Sequence, residues 1–356
     1  MTLFTPRALP GILAAVASVL LAACGGGGGG VGETATNAPA PVSPPASAPA
    51  PAPTVQARIQ AATATADSDT NDCAAIRPFY WEMGDRSVAL AGGSVAYPGS
   101  GRGFTADTTI TLASATKWLY AAYVVQRRAG QLEPFDTEML TMRSGQVGFT
   151  GCRDGQTVDD CLAWQNNAAY DPAALGHFHY NGGHMLKHAS LIGLGAMNGP
   201  LLAQEMHGVL GADLDFGMIQ ALPSGGATGT SAMYARFLRK LLSGELALGG
   251  QLGRSAACAS VENCPGEALY SPGPAGQTWH YSLGHWVEDD PVAGDGSFSS
   301  AGAFGFYPWI DKDRSLYGVI AREAPQSGNV DGPGAGLTSA RCGRLLRLAW
   351  QTATAR

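Results

Sequence analysis

The sequence predicts an α+β fold: one antiparallel sheet drawn from both ends of the folded region, with a helical subdomain between them. Three observations predict it. Residues 79–97 (FYWEMGDRSVALAGGSVAY) read as strands punctuated by Gly-Asp and Gly-Gly turn signals. Residues 281–284 (YSLG), 304–310 and 316–321 read as strands near the other end, the last two joined by the turn Asp311-Lys312-Asp313-Arg314. Helical patterns occupy the middle, at 115–129 and within 200–245.

Each element has a local reason. The helix at 115–129 sets Trp118, Ala122 and Val125 on one side, and Gly130 stops it. A final helix over 337–353 offers Leu337, Leu345, Leu348 and Ala349 for burial. The first and last strands then meet in one sheet. With 45% hydrophobic and 14% charged residues, the chain of 356 can bury a large core. A formal charge of −6 without a basic cluster argues against nucleic acid as a partner.

The N-terminal residues are read as a targeting segment. Arg7 precedes an apolar run at 9–21 (LPGILAAVASVLL) that is too short to span a bilayer. Leu21-Ala22-Ala23-Cys24 is similar to a bacterial lipoprotein signal, which implies cleavage after residue 23 and lipidation of Cys24. Gly25 after the Cys points to the outer membrane; an ordinary secretory signal is the rival reading. Six Gly and a Pro/Ala/Ser tract follow, and such composition cannot bury a core. The expected organisation is a signal peptide at 1–23, a lipidated tether at 24–69 and one domain at 70–356.

Six Cys remain beyond Cys24, an even number after an export signal, which reads as disulfides. Six Cys allow fifteen connectivities. Short spacing favours Cys152 with Cys161 and Cys258 with Cys264, leaving Cys73 with Cys342 to join the two ends of the domain. A metal site is the competing use of such residues. His184 and His188 stand at i, i+4, but no H-E-x-x-H pattern accompanies them and no C-x-x-C occurs. The expectation is no metal and no cofactor.

The chemistry-bearing motif is Ser114-Ala115-Thr116-Lys117 at the start of the 115–129 helix. Residues three apart lie on one helix face, so the Ser hydroxyl and the Lys amine can meet. The chain has four Lys against eighteen Arg, so a Lys on an apolar helix is not a neutral surface choice. Held in an apolar site, it loses pKa and becomes a usable base. The competing reading is a solvated Lys beside a Ser that caps the helix. No G-x-S-x-G elbow offers another nucleophile.

Several motifs in order resemble the class C β-lactamase superfamily of serine hydrolases, which includes penicillin-binding peptidases, esterases and amidases. They are the Ser114–Lys117 motif, Ala129-Gly130-Gln131-Leu132, Leu140-Thr141-Met142-Arg143-Ser144-Gly145 and Phe178-His179-Tyr180. Gly225-Gly226-Ala227-Thr228-Gly229-Thr230-Ser231-Ala232 with Ala235-Arg236-Phe237, Tyr281-Ser282-Leu283-Gly284 and Ser300-Ala301-Gly302-Ala303 complete the set. The resemblance implies a β-lactamase/transpeptidase-like fold over most of 75–350. It implies Ser114 as nucleophile, Lys117 as base or proton relay, and Tyr180 as sharing the base role, since a phenol near an ammonium ionises more readily, and as protonating the leaving group. It places the oxyanion hole at the N–H groups of Ser114 and Ala303, and substrate contacts at Asn181, Ser300 and Gly302.

Two departures stand out. The family's Tyr-x-Asn reads Tyr180-Asn181-Gly182, and an alternative register puts His179 on the Tyr and Asn181 on the Asn. Ser300 stands where a Lys or His normally binds a substrate carboxylate, and Ser cannot supply that charge. The expected reaction is cleavage of a small-molecule neutral ester or amide by a protein held to the membrane by its N-terminal lipid. The rivals are a non-catalytic binding lipoprotein that keeps the fold and a penicillin-binding cell-wall peptidase. Specificity is expected in the loops around 140–170 and 250–295.

Overall fold

The computed structural model describes residues 52–97, 99, 103–324 and 334–356. The expected signal peptide, Cys24 and the Gly/Pro tract lie outside the described residues. The main sheet has eight strands, numbered here in chain order: β1 (Phe79–Gly84), β2 (Ala89–Val95), β3 (Ala257–Cys258), β4 (His280–Tyr281), β5 (Trp286–Glu288), β6 (Ser297–Ser299), β7 (Tyr307–Ile310) and β8 (Tyr317–Ala321). Their spatial order is β2-β1-β8-β7-β6-β5-β4-β3, and every neighbouring pair is antiparallel. The two ends of the domain meet where β1 pairs with β8, in the register Tyr80↔Ala321 to Gly84↔Tyr317.

Helices α1 (Val55–Ala66), α2 (Thr116–Arg127), α3 (Pro134–Leu140), α4 (Val158–Leu162), α5 (Gly183–Ala189), α6 (Gly199–Leu210), α7 (Ser231–Ser243) and α8 (Ala335–Thr352) complete the frame. Both faces of β7 and β8 are buried, because successive side chains point to opposite sides. Tyr307 and Trp309 meet α8, where Gly343 and Arg347 lie against them. Tyr317 points the other way, its hydroxyl accepting from Arg239 of α7 at 2.7 Å. Helix α2 is buried along Thr116–Val125, as an all-round apolar helix at the centre of a domain must be.

The fold corrects one boundary. Residues 55–66 were assigned to the tether, yet they form α1 and pack on α8. The segment VQARIQAATATA contains no Pro or Gly, is rich in the strongest helix former, and is capped by Thr54, which accepts from the Ala57 N–H at 3.2 Å. Arg58 donates to the Trp350 and Gln351 carbonyls at 2.6 and 3.1 Å, which secures α1 to the end of α8. The folded unit therefore begins near residue 55, not 70.

The disulfides Cys73–Cys342, Cys152–Cys161 and Cys258–Cys264 are all formed. The first ties α8 to the turn that follows α1. A buried ion pair fastens α8 to the sheet: Arg347 reaches Glu288 of β5 at 2.8 Å and Asp295 at 2.6 Å, while the Tyr307 and Ser299 hydroxyls each donate to Glu288 at 2.6 Å.

Candidate active site

Ser114 lies in a single 3-10 turn, Ala113–Ala115, between the short strand Ile110–Thr111 and α2. Ala113 has φ of 45°, a left-handed conformation unusual for a residue with a Cβ and a common companion of functional sites. Distant side chains hold the turn. Tyr234 of α7 donates to the Ala115 carbonyl at 2.8 Å, and Ser300, just past β6, donates to the Ser114 carbonyl at 3.1 Å. The Ser114 hydroxyl is left partly exposed to a cavity.

Lys117 is 4% exposed. Its Nζ lies 3.0 Å from Ser114 Oγ, donates to the Ser224 carbonyl at 2.7 Å and sits 4.8 Å from the centre of the Tyr180 ring. Among the described residues no carboxylate pairs with it. Burial lowers its pKa to about 7. Gly284 makes this packing possible: it has φ of +71°, and a Cβ there would lie 2.5 Å from the Lys117 carbonyl oxygen.

Tyr180 completes the cluster. Its ring stacks on Trp286 at 5.2 Å and meets Tyr281 edge-on at 5.7 Å. Burial pushes its phenol up to about 12, and a hydrogen bond with Ser114 only partly opposes that rise. Desolvation is the largest influence on this phenol, so it stays protonated at neutral pH. His179 is turned away, its ring against Tyr270 and its Nδ1 accepting from Asn181 Nδ2 at 2.9 Å, so the geometry brings Tyr180 to Ser114 in its place.

The N–H groups of Ser114 and Ala303 donate to no other group among the described residues. Both residues line a smaller chamber of about 180 Å³ beside the Ser114 hydroxyl, as does Gly302. A Cβ on Gly302 would lie 2.4 Å from the Leu112 carbonyl, so only Gly lets this loop approach the strand that carries Ser114.

Two expected substrate contacts are committed elsewhere. Asn181 borders the main cavity, but its Nδ2 donates to the Gln146 carbonyl at 2.7 Å and to His179, and its Oδ1 accepts from the Gly183 N–H at 2.7 Å. It holds the loop that carries Tyr180. Ser300 is 3% exposed, lines neither chamber and is occupied by the Ser114 carbonyl. Its hydroxyl supports the Ser114 backbone. His184 and His188 are also spoken for. His184 pairs with Ser144 and the His179 carbonyl, each at 2.8 Å. His188 pairs with Tyr120 at 2.7 Å and Asp136 at 2.8 Å.

Sequence reasoning missed Ser224, whose carbonyl anchors Lys117; the Gly225-Gly226 pair beside it was the available signal. It also missed most of the walls of the main cavity. That cavity measures about 630 Å³ and is lined by Phe149, Ile219, Leu222, Tyr270, Pro272 and Phe304 besides the catalytic cluster. Phe149, Tyr270 and Pro272 fall in the loops expected to set specificity, while Ile219 and Leu222 do not. Among the described residues, Lys117 is the one Lys, Arg, Asp or Glu side chain on its wall.

No family model and no curated protein sequence matches this chain. Solved structures do match. EstCE1, a hydrolase with promiscuous acyltransferase activity, is 12% identical with a TM-score of 0.60 over 83% of this chain and 99% of its own. The D-amino acid amidase of Ochrobactrum anthropi SV3 is 10% identical with a TM-score of 0.55 over 82% of this chain and 99% of its own. The chain has the fold of the β-lactamase and penicillin-binding-protein superfamily. The octameric penicillin-binding protein homologue of Pyrococcus abyssi shares that fold at 11% identity and a TM-score of 0.55, over 80% of this chain and 76% of its own. At these identities the likeness is one of fold, and any chemistry must be argued from the grouping of Ser114, Lys117 and Tyr180 in this chain.

Proposed function

We propose that this chain is a serine hydrolase that cleaves an uncharged ester or amide through an acyl-enzyme on Ser114. The observation that carries the reading is the buried Lys117, 3.0 Å from Ser114 Oγ, with a pKa of about 7. Neutral Lys117 takes the Ser114 hydroxyl proton as Oγ bonds to the carbonyl carbon. The carbonyl π pair moves onto oxygen, and that oxyanion is held by the N–H groups of Ser114 and Ala303. Collapse re-forms the carbonyl and expels the leaving group, which takes the Tyr180 proton. Lys117 returns its proton to Tyr180. Water then repeats the sequence on the acyl-enzyme, releasing the acid and Ser114.

The cavity wall supports an uncharged substrate, since its described residues offer no Arg to a carboxylate and no carboxylate to an amine. EstCE1's acyltransferase activity supports transfer to an alcohol in place of water as a side reaction. Three disulfides support an oxidising compartment, in keeping with a lipid anchor on Cys24 in the cell envelope.

The test is hydrolysis of 4-nitrophenyl butyrate together with labelling by a fluorophosphonate, both expected to vanish in Ser114→Ala. Labelling that survives the substitution overturns the assignment. A wild type that neither labels nor turns over is a binding protein, and one labelled by fluorescent penicillin without ester turnover is a penicillin-binding protein.

A further inference from the structure

The main cavity is larger than a minimal ester requires, and apolar side chains share its wall with the polar Thr111, Asn181 and Gln220. Ile219 and Tyr270 stand at its rim, 56% and 52% exposed. Both sit on fixed backbone: the Ile219 N–H donates to Gly226 at 2.9 Å, and the Tyr270 carbonyl accepts from the Tyr180 N–H at 3.0 Å. Large apolar side chains kept in water on an ordered frame, beside a nucleophile, mark a surface meant to be covered. Phe149, Leu222 and Phe304, half-buried or buried, share the cavity wall, and the exposed Pro272 borders both chambers. A dry apolar cavity of about 150 Å³ is enough for a benzene ring. The main cavity is about 630 Å³, whereas the chamber on the Ala303 side is about 180 Å³.

Resting on the acyl-enzyme reading above, we infer that the site takes an asymmetric substrate. The larger uncharged, apolar substituent of the scissile carbonyl occupies the Ile219–Tyr270 chamber, and the smaller, of benzene size or less, occupies the chamber beside Gly302, Ala303 and Leu337. Ser114 and Tyr180 line both chambers, so the scissile bond sits where they meet.

Two ester series read this out: 4-nitrophenyl esters from acetate to octanoate, and alkyl butyrates from methyl to octyl. In one of them kcat/KM rises about two- to fourfold per methylene, the value for burying a CH₂. The octyl-to-shortest ratio in that series then falls at least tenfold in Ile219→Asp and in Tyr270→Ala. A Ser114→Ala protein reads the chamber without the reaction: 1-butanol, 1-hexanol and 1-octanol bind with steadily lower Kd, and adding Ile219→Asp removes the trend. Flat series, or trends that survive both rim substitutions, overturn the inference. Failure of the acyl-enzyme reading looks different, since Ser114-dependent turnover is then absent while the alcohol trend and its loss in Ile219→Asp remain.

Discussion

The hydroxyl of Ser300 donates a hydrogen bond of 3.1 Å to the main-chain carbonyl of Ser114. This contact joins the sheet to the turn that presents the nucleophile, across 186 residues of chain. Here a neutral side chain holds the chain's own backbone. The Ser114 carbonyl, and with it the turn, is thereby held from the sheet side.

Ser300→Ala removes that support without adding bulk. The lost hydrogen bond, worth about 0.5–1.5 kcal/mol, appears as a fall in kcat of roughly 2- to 10-fold with KM within about twofold. Steady-state kinetics on a 4-nitrophenyl ester decide it, and Ser300→Thr restores most of the rate. Ser300→Lys does not create cephalosporin turnover. Its ammonium has no path to the cavity and displaces the Ser114 turn, so ester activity falls instead.

The pH profile follows from Lys117. The amine works as a base only when neutral, and burial sets its pKa at about 7. The expected kcat/KM therefore rises tenfold per pH unit below about 7 and levels off above it. No descending limb follows up to pH 10, because the Tyr180 phenol is pushed up to about 12. A profile that falls between pH 7 and 9 refutes these roles.

The same burial carries a stability cost. Lys117 has a folded pKa below its ordinary value of 10.5, so between about 7 and 10.5 the unfolded chain binds more protons than the folded one. Stability from this group therefore rises with pH through that window, and the penalty is full below pH 7. Lys117→Met, which keeps the volume and drops the charge, is more stable than wild type at pH 6. Its advantage is on the order of 2–4 kcal/mol after loss of the hydrogen bond to the Ser224 carbonyl, and it shrinks toward pH 10. Urea titrations at the two pH values measure it, and a variant less stable than wild type at pH 6 sinks the argument.

Arg347 tests what fastens the last helix. Its guanidinium and the Glu288 carboxylate are 1% and 0% exposed. Arg347→Ala leaves that carboxylate buried with the Tyr307 and Ser299 hydroxyls and, as its remaining cation among the described residues, Arg344 at 3.7 Å; a broken buried pair costs about 3–5 kcal/mol. Thermal unfolding shows a correspondingly lower Tm. Replacing both partners, Arg347→Met with Glu288→Gln, recovers a large part of the loss, which an undone packing contact alone does not predict.

Local features of this chain were legible from local spacing. Ser114 and Lys117 meet because three helical residues separate by nearly one turn, whatever surrounds them. The same holds for the Cys152–Cys161 and Cys258–Cys264 loops and for the strands around the Asp311–Arg314 turn, whose partners lie within a few residues. Composition misled in one place: α1 was absorbed into the Pro/Ala tract because alanine is common both to tethers and to helices, and only the contact with α8 separates them. The tertiary structure decided everything that depends on desolvation or on distant partners. Whether Lys117 is a base depends on what buries α2, and whether Tyr180 gives or takes a proton depends on Trp286 and Tyr281 closing around it. Ser300 turned inward because the register of the sheet aims it at Ser114, and the cavity walls come from segments more than a hundred residues apart in the chain. A sequence pattern encodes the groups that neighbour along the chain; the dielectric and the contacts that set their chemistry exist only once the chain has closed on itself.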